Sequence, residues 1–426
     1  MSKIGTLIHG LDNSQANGTN FDATISGFGQ VDAFVTFLSY HNYNSGATSN
    51  NSGESIITGV WDGSAYKVYN SGVYALDNRF SSEMKRFQNY SDDDTVYLRG
   101  FITLEAKQLT DGLRFTKTAT GTVFPSYLVP STTIIFGGVN ADMIKLGSST
   151  SGTKSFSINP NVIFGHTAGQ NNSGQTESDT NIYSWGMAER SGNSQVMYAQ
   201  GGTHGASTMQ VSQRMESGYL VGQIHQDSQT WISSISSWGT NSVTMSTTGS
   251  TGDDDSVLLA IDDSIRAKVG VGNISLNSSE TFSGPTDTGY VSQVALAHMC
   301  TAQGTGVQVT QPASTGNSYC FISNNSSGST SSHQGTVSAD GIGTSDEISY
   351  SGADLKLKAH NGSAVYDAAI GSMAFNGNDV DMTLTTVPYP NQHYFGHIVL
   401  ADDQVPAITN HPIRLAGNGH PIREES

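Results

Sequence analysis

Short apolar runs broken by polar, glycine-rich clusters set the rhythm of this chain. Residues 33–38 (AFVTFL), 132–136 (TTIIF), 256–261 (SVLLAI) and 396–400 (GHIVL) are rich in β-branched and aromatic side chains and are bounded by Gly, Asn, Ser or Asp. That is the pattern of strands and turns. The best helical period lies over residues 81–87 (SSEMKRF) and is short. The pattern predicts an all-β protein.

The runs recur in a fixed order. An opening strand over residues 32–37 (DAFVTF) has counterparts over 161–166 (NVIFGH) and 293–298 (QVALAH). A strand running into a turn follows, at 59–63 (GVWDG), 186–190 (GMAER) and, more faintly, 320–324 (CFISN). The third landmark is a polar turn entering an alternating strand: Leu113, Val243 and Val380 hold equal places in DGLRF, NSVTM and NDVDM, 130 and 137 residues apart. Repetition at this period predicts three tandem β-sandwich, jelly-roll-like units over residues 20–148, 149–278 and 279–404, with Ser/Gly/Asn-rich boundaries. Pro388 and Pro390 fit blunted edge strands of the last unit.

The ends differ from the units. Residues 1–19 read as a polar N-terminal arm with one apolar knot, in which Ile4, Leu7 and Ile8 are candidate assembly contacts. Residues 405–426 read as an extended C-terminal tail, because the repeated His411-Pro412-Ile413-Arg414 and His420-Pro421-Ile422-Arg423 place proline where a central strand needs an N–H. Pro412, Ile413, Arg414, Pro421, Ile422 and Arg423 are the matching candidate contacts at that end. The alternative is that the tail packs on its own third unit.

Composition narrows the partners. The 426 residues carry a net charge of −17, only 13% are charged, and 9% are aromatic, so the chain is polar without being highly charged and still has cores to bury. No basic run of even four residues occurs, which argues against nucleic acid and anionic lipid as partners. The apolar runs are far short of the ~18 residues that cross a bilayer, and the start lacks the h-region of an export signal, so neither membrane insertion nor Sec-type export is expected. Two cysteines cannot form a disulfide framework and fit synthesis in a reducing cytosol. Cys300 and Cys320 lie in strands of one unit, so a pair is open to them; two buried thiols is the simpler reading.

Reactive constellations are sparse. His41, His166 and His298 end the three opening strands, but one histidine per unit without a carboxylate at fixed spacing does not make a metal site. His225 and His360 are strand-end histidines. His393 and His397, four apart on a strand rising ~3.3 Å per residue, stand too far apart to share zinc. Asp92-Asp93-Asp94 and Asp253-Asp254-Asp255 lack the spaced ligands and glycine of a calcium loop and read as solvated turns. Glu54, Glu105 and Glu216 fall at unrelated places of the units, so no carboxylate pair for glycoside hydrolysis is nominated. No enzyme, metal or cofactor is expected. Tyr40 and Tyr43, with the glycine-rich loop after them, and Trp231 with Trp238 are the aromatic candidates for stacking on a glycan; the alternative is ordinary core or rim tryptophan.

The first unit, with Gly27-Phe28-Gly29 leading into the strand at 32–37 and Gly59-Val60-Trp61-Asp62-Gly63 after it, resembles a repeat of virion proteins of tailed bacteriophages, of the tail-fibre and particle-surface kind. The second and third units lack the glycine-aromatic-glycine turn. The resemblance implies a structural, non-catalytic role, with capsid or tail proteins as partners and a virion assembled in a host cytoplasm as the location. The expectation is a head decoration or tail-associated subunit anchored by its termini. The alternative is a receptor-binding tail-fibre adhesin that recognises host surface glycans. Three fused similar units can also imitate a trimer of single domains and so suit a three-fold or quasi-three-fold position.

Overall fold

A computed structural model describes residues 1–403 apart from 42–51, 77–82, 99–100, 122–127, 148–149, 171–175, 179, 204–210, 226–227, 250–254, 276–277, 301–307, 310–313, 340–346, 353–355, 361–364 and 386–391. The described elements are all strands. The first ten are β1 (Lys3–Asp12), β2 (Asn20–Thr24), β3 (Ala33–His41), β4 (Ser52–Trp61), β5 (Tyr66–Leu76), β6 (Glu83–Ser91), β7 (Thr95–Leu98), β8 (Ile102–Leu109), β9 (Gly112–Thr120) and β10 (Leu128–Gly137). Next come β11 (Ala141–Leu146), β12 (Gly152–Ser155), β13 (Val162–Gln170), β14 (Thr176–Ser178), β15 (Thr180–Glu189), β16 (Ser194–Thr203), β17 (Val211–Ser217), β18 (Val221–His225), β19 (Ser228–Trp238), β20 (Ser242–Gly249) and β21 (Asp255–Ile261). The last are β22 (Arg266–Ser275), β23 (Ser278–Phe282), β24 (Tyr290–Cys300), β25 (Gln308–Val309), β26 (Ser314–Asn324), β27 (Thr330–Ala339), β28 (Glu347–Gly352), β29 (Lys356–His360), β30 (Val365–Asn376), β31 (Asp379–Thr385) and β32 (Gln392–Asp403).

One pairing scheme occurs three times. A six-stranded antiparallel sheet runs β1-β10-β3-β4-β5-β6, then β11-β21-β13-β15-β16-β17, then β22-β32-β24-β26-β27-β28. Each faces a four-stranded sheet, β2-β9-β8-β7, β12-β20-β19-β18 and β23-β31-β30-β29. The three opening strands of the sequence are β3, β13 and β24, at matching places in the large sheets, and Leu113, Val243 and Val380 lie on β9, β20 and β31. Each sandwich has its own interior, with Phe34, Phe87 and Phe115 in the first, Ile163, Trp231 and Val243 in the second, and Phe282, Phe321 and Phe395 in the third.

Local chemistry explains the turns. Phe28 is buried in the first interior between Gly27 (φ 74°) and Gly29 (φ 86°), left-handed positions that admit glycine without strain and turn the ring inward. The Gly29 N–H donates to the Asp111 carboxylate at 2.9 Å, tying this turn to the one that opens β9. In the GVWDG turn, Asp62 accepts from the Ser64 and Ala65 N–H groups at 2.8 and 2.9 Å.

Three expectations are corrected. Residues 83–87 belong to β6 and pair with β5 from Leu76↔Glu83 to Gly72↔Phe87, so the short helical period ends in a strand; residues 81 and 82 lie outside the described residues. The N-terminal segment is not an arm over residues 3–12: it is β1, paired with β10 from Lys3↔Gly137 to Asp12↔Leu128. The units accordingly begin at β1, β11 and β22, before the expected boundaries at 149 and 279. The Ser/Gly-rich stretch expected as a boundary falls between β11 and β12 of the second unit, whereas the crossings between units, from Gly137 to Ala141 and from Ile261 to Arg266, are short, and only the first is rich in Gly and Asn.

The three large sheets pack face to face in a closed cycle. β13 of the second unit lies on β5 and β6 of the first, β24 and β32 of the third lie on β17 of the second, and β3 and β10 of the first lie on β28 of the third. One hydrophobic cluster fills the centre, with Val35 and Phe136, Phe164 and Trp185, and Leu296 and Ile398 contributed by the three units in turn. A heterologous contact repeated by one rotation closes here after three steps. Short strands lock two of the steps: β14 adds to the edge of β6, and β25 to the edge of β17.

The third crossing is open in the chain but closed in space. The Ile4 N–H donates to the buried Asp402 carboxylate at 3.0 Å, and the Ser2 hydroxyl donates to the Ser264 carbonyl at 2.9 Å and accepts from the Asp403 N–H at 3.2 Å. A circular permutant that joins Asp403 to Ser2 through a short Gly/Ser linker and opens at Asn140 is therefore expected to fold, with a Tm within about 5 °C of the parent. Thermal melting followed by circular dichroism checks this.

Candidate functional site

Strand register places three rows of side chains around the central cluster. On the opening strands, Phe37, His166 and His298 stand opposite Thr132, Val257 and Gly396. The next strand brings Ile56, Trp185 and Cys320, and the one after it Ser71, Tyr198 and His333. The equivalent of His166 and His298 in the first unit is thus Phe37 and not His41. The alignment of residues 32–37 with 161–166 and 293–298 already held this, and grouping the histidines by residue type obscured it.

Imidazoles sit where units meet. His166 of the second unit is wholly buried, with Nε2 at 2.8 Å from the Thr58 hydroxyl and Nδ1 at 2.7 Å from the Ser71 hydroxyl, both of the first unit. His298 of the third unit stacks on Trp185 of the second, with ring centres 4.7 Å apart and planes 9° from parallel, and meets Tyr198 at 4.1 Å. His333 is buried on β27, which packs against β3 and β4 of the first unit. Burial pulls all three imidazoles down to about 3, so they are neutral at physiological pH.

A carboxyl lies in the same interior. Glu54 on β4 is buried and hydrogen-bonded to Gln200 of the second unit; burial pushes it up to about 7, against the smaller opposing pull of that bond. The Tyr183 phenol and the Cys320 thiol, from the second and third units, are pushed well above their usual range by burial first and by the Glu54 charge second. Cys320 is a free thiol. The gap lined by Trp185, Met187, Tyr198, Met215 and His298 leaves no room for a water molecule. His166 and Glu54 thus bond one unit to another, and His298 stacks across a second junction.

The candidate glycan and assembly residues do not come together. Trp231 is wholly buried in the second sandwich, its indole N–H donating to Gln223 Oε1 at 2.8 Å, so it cannot stack on a sugar. Trp238 is half-buried at the rim of that interior and donates to Asn193 Oδ1 at 2.8 Å. Tyr43 and the Tyr40 side chain lie outside the described residues. Ile4 and Leu7 are not free for partners: alternation along β1 puts Ile4 in the central cluster and Leu7 in the first sandwich. Ile8 points outward and is 41% exposed. Pro412, Ile413, Arg414, Pro421, Ile422 and Arg423 lie outside the described residues.

The acidic and histidine motifs resolve into structure. Asp93 accepts from Thr95, and Asp255 is buried in an ion pair with Lys145 at 2.7 Å. Glu105 pairs with Lys107 at 2.6 Å, and Glu216 with Arg214. His397 is buried against Phe282, 4.4 Å between ring centres; the side chains of His41, His225, His360 and His393 lie outside the described residues. Among the described residues no group of three His, Cys, Asp or Glu is placed to hold a metal ion, and no helix is long and apolar enough to cross a membrane. Comparison with protein-family models, curated proteins and solved structures returned no match.

Proposed function

We propose that the chain is a non-enzymatic structural component of a tailed-phage virion surface, a head decoration or tail-associated subunit that occupies a three-fold or quasi-three-fold position and is held by the segment after residue 403. The carrying observation is the closed cycle: three sandwiches of one pairing scheme share a central core, so a single chain offers a partner the outline of a trimer. Two further features support the reading. Ser2 and Asp403 meet, so the segment after residue 403 starts beside the first residues of the chain. A net charge of −17 on a surface poor in charged residues opposes nonspecific adhesion.

The test compares purified capsids and tails with host cells and a glycan array as binding targets. Saturable binding to capsids or tails that is lost on deletion of residues 404–426 is expected. Saturable binding to glycans or cells with none to particles would overturn the reading in favour of an adhesin.

A further inference from the structure

Resting on the virion role proposed above, we infer that residues 411–423 are a two-headed anchor. His411-Pro412-Ile413-Arg414 and His420-Pro421-Ile422-Arg423 each seat in one of two like pockets, presented by adjoining copies of one virion protein.

The three large sheets are complete before this segment begins. After β10 the chain crosses to β11, which pairs with β21, and after β21 it crosses to β22, which pairs with β32. The next step in that order is a strand beside β10. β1 already fills that place, from Lys3↔Gly137 to Asp12↔Leu128. The cycle thus closes at Asp403, whose N–H donates to the Ser2 hydroxyl at 3.2 Å, and the residues after it start at a seam that is already occupied. The repeated sheet scheme does not call for them.

The motif has the chemistry of a bound peptide. The same four residues recur in the same order nine positions on, and His-Pro occurs nowhere else in the 426 residues. Proline restricts itself and the histidine before it to extended backbone, so little chain freedom is lost on binding. Isoleucine supplies an apolar anchor. Arginine supplies a planar fork for a carboxylate, on a chain whose net charge is −17. The matching pocket is an apolar slot with an acidic rim. Identical heads call for identical pockets, and the spacer Leu415-Ala416-Gly417-Asn418-Gly419, with two glycines, is flexible. Nine extended residues reach at most about 30 Å, so the two pockets lie within that distance, as they do on adjoining copies of one protein in a symmetric particle. Joining the heads makes the second binding event intramolecular, and the pair outbinds either head alone by about 100-fold or more.

The full chain and its variants are titrated against purified capsids and tails, and the Tm of each is measured. Ile413→Ala with Arg414→Ala, and Ile422→Ala with Arg423→Ala, are each expected to weaken particle binding by about 100-fold. The four substitutions together are expected to reduce it to that of the chain lacking residues 404–426, and all three variants to keep the parent Tm. Two results overturn the two-headed anchor and leave the virion role standing: a loss confined to one of the two heads, or undiminished binding by the fourfold variant while deletion of residues 404–426 abolishes it. Particle binding that survives the deletion, or no particle binding by the parent chain, overturns both.

Discussion

Replacing Trp185 by alanine should cost the protein about 4 kcal/mol of stability, in the middle of what removing a buried aromatic side chain usually costs. Trp185 is 3% exposed and belongs to the second unit, yet its ring lies 5.1 Å from Phe37 of the first and 4.7 Å from His298 of the third. Removing it opens a cavity bordered by three sheets, none of which can move in to fill it without losing contact with another. Trp231→Ala removes as large a side chain from inside one sandwich. The two should differ in kind: Trp185→Ala loosens the units from one another and broadens the urea transition, whereas Trp231→Ala lowers the stability of its own unit. Trp238→Ala, at the rim, should cost about 1 kcal/mol. A Trp185→Ala loss no larger than that of Trp238→Ala would mean that the central packing contributes little.

Glu54→Gln is the second large effect, and its sign depends on pH. The folded protein favours the protonated carboxyl, which titrates at about 7 instead of its ordinary 4.5. The stability this group permits is fully present below pH 4.5, declines as pH rises, and is at its lowest above pH 7, where the unfolded chain is ionised and the buried site resists ionisation. Each pKa unit corresponds to about 1.4 kcal/mol, so the neutral amide should stabilise the protein by about 3 kcal/mol at pH 8.5 and change it little at pH 4.5. Urea unfolding at the two pH values measures the difference. Equal effects at both would show that Glu54 is not buried as a neutral acid.

Much of the fold can be read from the chain because strands advertise themselves locally. The run at residues 33–38 and its two counterparts became the matching strands β3, β13 and β24, and the turns before Leu113, Val243 and Val380 hold matching places in the small sheets. The beginnings of the units were hidden for a physical reason. β1 finds its partner β10 more than a hundred residues later, and an edge strand with polar alternation resembles a loop until that partner is known. The central site was hidden for a different one. His166, His333, Glu54 and Trp185 are far apart in sequence and meet only because three sheets pack in a cycle, so no spacing within a unit brings them together. Trp231 misled for the opposite reason, since an aromatic residue in a strand has the same local signature whether it faces water or a core.

The three seams of the ring are not alike. Two are crossed by the peptide backbone, while the third is held by the carboxylate of Asp402, the hydroxyl of Ser2 and the packing of Ile4. A chain pulled from its ends would part at that seam first, before either covalent crossing bears load. Amide exchange along Ile4–Leu7 should accordingly outpace exchange along the equivalent strand β22, and the molecule would open like a bracelet at its clasp.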